Sequence, residues 1–198
     1  MKTTTIFVVA GLAAAASADV MTMSWTVGDT GNNDGIITPG EDALLTMYAT
    51  MDVDHSGNGG GYAGSIFDIL GVSNWDTGTV ISYVNLVDSL GNGPGILGGN
   101  GDITGIDSFQ LPFDFNNEFD SSNPIAIYSI TWTPDNYDVR TVNLTSANHA
   151  NFSVYTNASG TSVEYTGDVQ AGSFQVVPAP ASLALLGLGS LVAGRRRR

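Results

Sequence analysis

The chain contains no cysteine. Disulfides, zinc-thiolate sites and cysteine nucleophiles are thereby excluded, and the fold must be held by its core or by ions. Basic side chains are nearly as scarce, with six Lys and Arg against 19 Asp and Glu in 198 residues. Their placement sharpens the imbalance. Lys2 lies near the start and Arg195, Arg196, Arg197 and Arg198 form the end, so Arg140 is the one Lys or Arg between. All the acids fall between Asp19 and Asp168, which leaves that interval a side-chain charge of −18. Such a body repels nucleic acid and anionic lipid, and its self-repulsion calls for screening by salt or bound cations.

Catalytic patterns are also missing. A serine nucleophile needs a base, yet His55 and His149 are the two histidines, and neither a G-x-S-x-G elbow nor an H-E-x-x-H pair occurs. A glycosidase needs two facing carboxylates, and 19 acids let composition nominate no particular pair. No enzyme is expected.

Both ends of the chain read as addresses. Residues 1–18 (MKTTTIFVVAGLAAAASA) join one early Lys to an apolar centre and the triplet Ala16-Ser17-Ala18. That is the form of a secretory signal peptide cut after Ala18 by signal peptidase. The last residues (VPAPASLALLGLGSLVAGRRRR) place Pro178-Ala179-Pro180 before an uncharged run, Ala181 to Gly194, and the four arginines. As a helix those 14 residues span roughly 21 Å against about 30 Å of hydrocarbon, which suits a transient membrane stop with the arginines on the cytoplasmic side. This order of parts resembles the PEP-CTERM sorting signal of bacterial exported proteins, with Ala179 where that signal usually has Glu. The resemblance implies removal by an exosortase-type membrane protease and delivery to the cell envelope, cell surface or extracellular matrix. Membrane contact is expected only through this tail, before processing. Three segments follow: signal 1–18, body 19–177 and sorting tail 178–198.

Within the body, Gly28 to Asp42 (GDTGNNDGIITPGED) concentrates Gly, Asn and Asp as turn-rich loops do. Aligned on Gly35 it resembles an EF-hand calcium loop, with Thr30 in place of the first ligand. Asp34-Gly35 and Pro39-Gly40-Glu41 also resemble the opening of bacterial extracellular β-sandwich modules. Two readings stand open: a calcium site using Asp29, Asn32, Asp34 and Glu41, or a turn held by Asx hydrogen bonds.

The remaining pattern is that of strands. Ala43 to Asp52 alternates Leu45, Met47, Ala49 and Met51 with Leu44, Thr46, Tyr48 and Thr50, and Pro124 to Trp132, apolar on both faces, is expected to be a central strand. Further strands are expected at Trp25 to Val27, Tyr62 to Val72, Thr79 to Leu90, Ile103 to Leu111, Val139 to Leu144 and Ser173 to Val177, with a hairpin at Phe152 to Tyr155 and Ser162 to Tyr165. Gly91 to Gly101, six glycines in 11 residues, reads as a loop or edge ornament. The fold class is therefore an all-β antiparallel sandwich, Ig-like or jelly-roll-like. The functional expectation is an exported envelope or matrix protein of structural or adhesive role. Carbohydrate binding is the alternative, with extracellular polysaccharide as partner and Trp75 or another exposed aromatic as the stacking residue, Trp25 and Trp132 being assigned to the core. A small secreted hydrolase is a more distant reading.

Overall fold

The computed structural model describes residues 21–51, 60–73, 75–87, 93–111, 119–146, 150–156, 162–167 and 170–178. Among these described residues twelve strands run in order: β1 (Met21–Asp29), β2 (Ile36–Ile37), β3 (Ala43–Met51), β4 (Gly61–Ser73), β5 (Gly78–Asn85), β6 (Gly93–Leu97), β7 (Ile103–Phe109), β8 (Ile125–Pro134), β9 (Arg140–Ser146), β10 (Ala150–Tyr155), β11 (Ser162–Gly167) and β12 (Gly172–Val176). The one helical element among the described residues is a 3₁₀ turn, Trp75–Thr77. The chain is an all-β sandwich. Its smaller sheet has the order β1-β3-β8-β5, and the larger runs β11-β10-β4-β9-β12-β2, with β7 on β4 and β6 on β7.

Alternation explains the smaller sheet. In β3 the side chains of Leu45, Met47, Ala49 and Met51 are buried, while Leu44 and Thr50 face solvent. Strand β8 lies between β3 and β5, as its two apolar faces predict, and a bulge between Met47 and Tyr48 shifts its register on β3. Every pairing is antiparallel except β12 with β2, where Gln175 and Val176 run parallel to Ile36 and Ile37. That pair was not anticipated, because the two isoleucines sit in a turn-rich loop. Strand β6 likewise replaces part of the expected glycine loop by pairing with β7.

The sheets meet over an aromatic seam. Trp132 of β8 is fully buried and lies edge-on to Phe174 of β12, centroids 5.4 Å apart. Four residues nearer the start of β8, Tyr128 meets Phe67 of β4 at 5.9 Å and 82°. Edge-to-face pairs of this kind place the positive rim of one ring on the negative face of the other.

Candidate functional site

Four places carry the residues that the sequence singles out. The first is the loop between β1 and β3. Asp29 ends β1 almost fully buried, and its Oδ1 accepts the backbone N–H of Gly31 and of Asn33, both at 2.8 Å, while Oδ2 accepts that of Gly35 at 3.0 Å. Burial by itself pushes this carboxyl up. The converging N–H donors of Asn33, Gly35, Gly31 and Asp34 outweigh it, so the group sits below its ordinary value of 3.8. Asn33 and Gly35 bend the chain around the carboxylate with φ of 58° and 74°.

The other three candidates are engaged in the same way. Asp34 accepts from Ile36 N and from Asn32 Nδ2, both at 2.9 Å, while Asn32 Oδ1 accepts from Asp34 N at 3.1 Å. Glu41 Oε2 accepts from Thr38 N at 2.9 Å and Thr38 Oγ1 at 2.8 Å, closing the Thr38–Glu41 turn. Asp29, Asn32 and Asp34 thus make hydrogen bonds of the Asx-turn kind and Glu41 closes a turn of its own; among the described residues no group of three or more His, Asp or Glu is gathered closely enough to hold a metal ion. Loop and strand are tied by Thr30 N to Asp42 O at 3.1 Å and Asp42 N to Thr30 Oγ1 at 2.9 Å.

The second place corrects an expectation. Trp75 is 2 % exposed, not an accessible platform. Its ring lies parallel to Trp132, 9° between planes and 5.8 Å between centroids. Its Nε1 donates to the Gly101 carbonyl, and its own carbonyl accepts from Trp132 Nε1 at 3.1 Å. Glycines clear the space: a Cβ on Gly71 would come within 1.9 Å of Trp75 Cβ, and one on Gly78 within 2.1 Å of Trp132 Cζ2. Trp132 is core as expected, and Trp25 packs against the core half-buried.

The third place was not foreseen. A groove of about 330 Å³ opens on the larger sheet where β4 lies between β7 and β10, lined by Ile66, Asp107, Phe109, Gln110, Ser153 and Tyr155, with Gly64 as floor. Gln110 braces it: its Nε2 donates to the carbonyls of Tyr62 (2.7 Å) and Asp120 (2.8 Å), its Oε1 accepts from Asp120 N at 3.2 Å, and its carbonyl accepts from the Tyr155 hydroxyl at 3.0 Å. Asp107 is the single carboxylate among the described lining residues, so they hold no acid–base pair. No local signal announces the groove, because its walls come from strands far apart in the chain.

The fourth is the exit of the chain. Val176 is fully buried at the end of β12, and Val177 N donates to Ile37 O at 2.9 Å, so the fold holds the backbone up to the residue before Pro178. Ala16 and Ala18 at one end, and Ala179, Pro180 and Arg195 to Arg198 at the other, lie outside the described residues.

Those features define an acidic β-sandwich that leads directly into a sorting tail. Residues 176–198 match the PEP-CTERM protein-sorting motif family. The motif marks a protein exported to the cell envelope or surface and processed by exosortase-type machinery. No curated protein matches the chain. Among solved structures it is similar to a cohesin module from Clostridium perfringens ATCC13124 family 33 glycoside hydrolase, at 12 % identity and a TM-score of 0.49, covering 79 % of this chain and 96 % of that one.

Proposed function

We propose that the chain is a non-enzymatic structural or adhesive component of the cell envelope or of the extracellular polymer matrix. The observation that carries this reading is the sorting motif beginning at Val176, within the last strand of the sandwich. With β12 leading straight into Pro178, the sandwich is the part delivered, and its described residues offer hydroxyls, amides and a closed aromatic core in place of a reactive cleft. Deleting the gene in the native host tests it. The expected result is weakened matrix cohesion or surface attachment, restored by the full-length chain and not by a chain ending at Val177. Unchanged matrix and attachment would refute the reading.

A second reading, binding of extracellular polysaccharide, is favoured by the groove at Gly64. Phe109 is an aromatic lining residue there, and Ser153 and Asp107 supply polar groups. Retention on an insoluble-polysaccharide panel that falls at least tenfold in Phe109→Ala, with unchanged far-ultraviolet circular dichroism, is the result this reading requires.

A further inference from the structure

One flank of the sandwich departs from the acidic character of the rest. Strand β5 ends the smaller sheet and pairs with β8 on one side, and no described residue makes a backbone hydrogen bond to its other side. Strand β6 lies against it at the margin of the larger sheet. Along these two strands and the turn after β5, Ile81, Val84, Leu86, Ile96 and Leu97 are between 37 % and 75 % exposed. They are five of the ten large hydrophobic side chains exposed among the described residues, drawn from a short part of the chain. From Thr77 to Gly101 the sequence holds one charged side chain, Asp88, which lies outside the described residues.

Such an edge is a template for another strand, and folded proteins commonly guard it with charge, proline or a bulge. Strand β6 is guarded, having Pro94 without an N–H and Gly95 at φ 86°. Strand β5 (GTVISYVN) has neither proline nor charge, only the register shift between Val80 and Ser82. Exposed apolar side chains gathered on neighbouring strands mark an interface more often than a solvated face.

We propose that this flank is where a second copy of the chain docks, β5 pairing antiparallel with the β5 of its partner about a two-fold axis. Charge selects the occupant. Two bodies of −18 repel wherever carboxylates face each other, and β5 and β6 themselves hold none, the Asp135 carboxylate reaching β5 only at its Thr79 end, Oγ1 to Oδ1 3.4 Å. An isologous joint also sets the same apolar residues of both copies against one another. Eight residues of β5 by the depth of two sheets give about 26 by 20 Å, roughly 500 Å² per copy, at the lower limit for a specific interface. The dimer is therefore reversible at micromolar concentrations. Because the bodies repel, salt tightens it, the reverse of an interface built on ion pairs.

Sedimentation velocity on the processed protein purified from its host tests the inference. The expected result is a monomer–dimer equilibrium whose Kd falls at least tenfold between low and physiological-to-high sodium chloride. Ile81→Lys with Val84→Lys should leave a monomer with unchanged circular dichroism, and Ile96→Lys alone should raise Kd about tenfold. Ile66→Lys, the same charge change on the outer face of the larger sheet, should leave Kd as it was. A monomer at every concentration and salt, a dimer that loosens with salt, or equal losses in Ile66→Lys and the β5 variant would each overturn the proposal.

Discussion

The two sheets solve the same problem with different chemistry. In the smaller one, strands β1, β3, β8 and β5 contain one charged side chain, Asp29, and their outer face is laid with Thr22, Ser24, Thr46, Tyr48, Ser129 and Thr131 beside Leu44 and Val84. The larger sheet carries Asp68, Asp107, Arg140 and Glu164 within its strands. Its irregularities show what some of these acids do. Where β4 slips on β7 between Phe67 and Ile69, Asp68 Oδ1 accepts the N–H of Gly105 at 2.7 Å. Where β4 slips on β9 between Gly71 and Ser73, Asp102 Oδ1 accepts the N–H of Gly71 at 3.0 Å. A bulge leaves a backbone donor without its ladder partner, and a carboxylate takes it. The acidity is thus partly structural on the larger sheet, while the smaller one, with its own bulges between Met47 and Tyr48 and between Val80 and Ser82, holds no acid within its strands but Asp29.

The strongest way to break this contrast is at the seam that both sheets share. Trp132→Ala removes the ring that touches Trp75 and Phe174, and about 3–5 kcal/mol of stability should go with it. Chemical denaturation checks the value, and a loss below 1 kcal/mol would mean that the sheets are joined elsewhere.

Asp29→Ala comes next. It strands the N–H groups of Gly31, Asn33 and Gly35, at about 1.5–3 kcal/mol for charge-assisted bonds. The sign with pH follows from the lowered carboxyl. Its stabilising contribution is complete above about 3.8 and is lost as pH falls through the lower folded-state value. Acid titration of stability should accordingly show a limb below pH 3.8 that is smaller in Asp29→Asn.

Asp102→Ala, on the larger sheet, should cost about 1–2 kcal/mol by orphaning Gly71 N. A surface substitution such as Thr46→Ala on the smaller sheet should stay within about 0.5 kcal/mol. Equal effects would erase the distinction between the sheets.

The least effect is expected from calcium. The carboxylates of Asp29, Asp34 and Glu41 already accept backbone donors, so millimolar calcium should raise the melting temperature no more than sodium chloride of equal ionic strength. A calcium-specific increment abolished by Asp34→Ala or Glu41→Ala would decide for the cation reading of the loop.

What was legible in the sequence follows the same division. Strands β3 and β8 could be read because one alternates strictly and the other is apolar on both faces, patterns that depend on neighbours in sequence. The sorting tail was legible for a different reason, being a linear signal that a membrane and a protease read without a fold. Trp75 was misread because Ser73-Asn74-Trp75-Asp76 has the composition of an exposed turn. Its burial depends on Gly71 and Gly101 making room and on Trp132, 57 residues away, offering a face. Strands β2 and β6 were hidden by turn-forming neighbours, and the Gly64 groove by the distance between β4, β7 and β10. Of the loop candidates, residue types showed that Asp29, Asn32, Asp34 and Glu41 would gather in one turn, while the direction of each carboxylate was a matter of backbone φ at Asn33, Gly35 and Gly40.

Both sheets matter to the cell only if the body leaves it and is trimmed, and intact-mass spectrometry of the protein recovered from the envelope or medium of its native host measures that directly. The account predicts a chain that begins at Asp19 and lacks Arg195 to Arg198. Bulk material that retains the arginine tail, or the leader through Ala18, would contradict it.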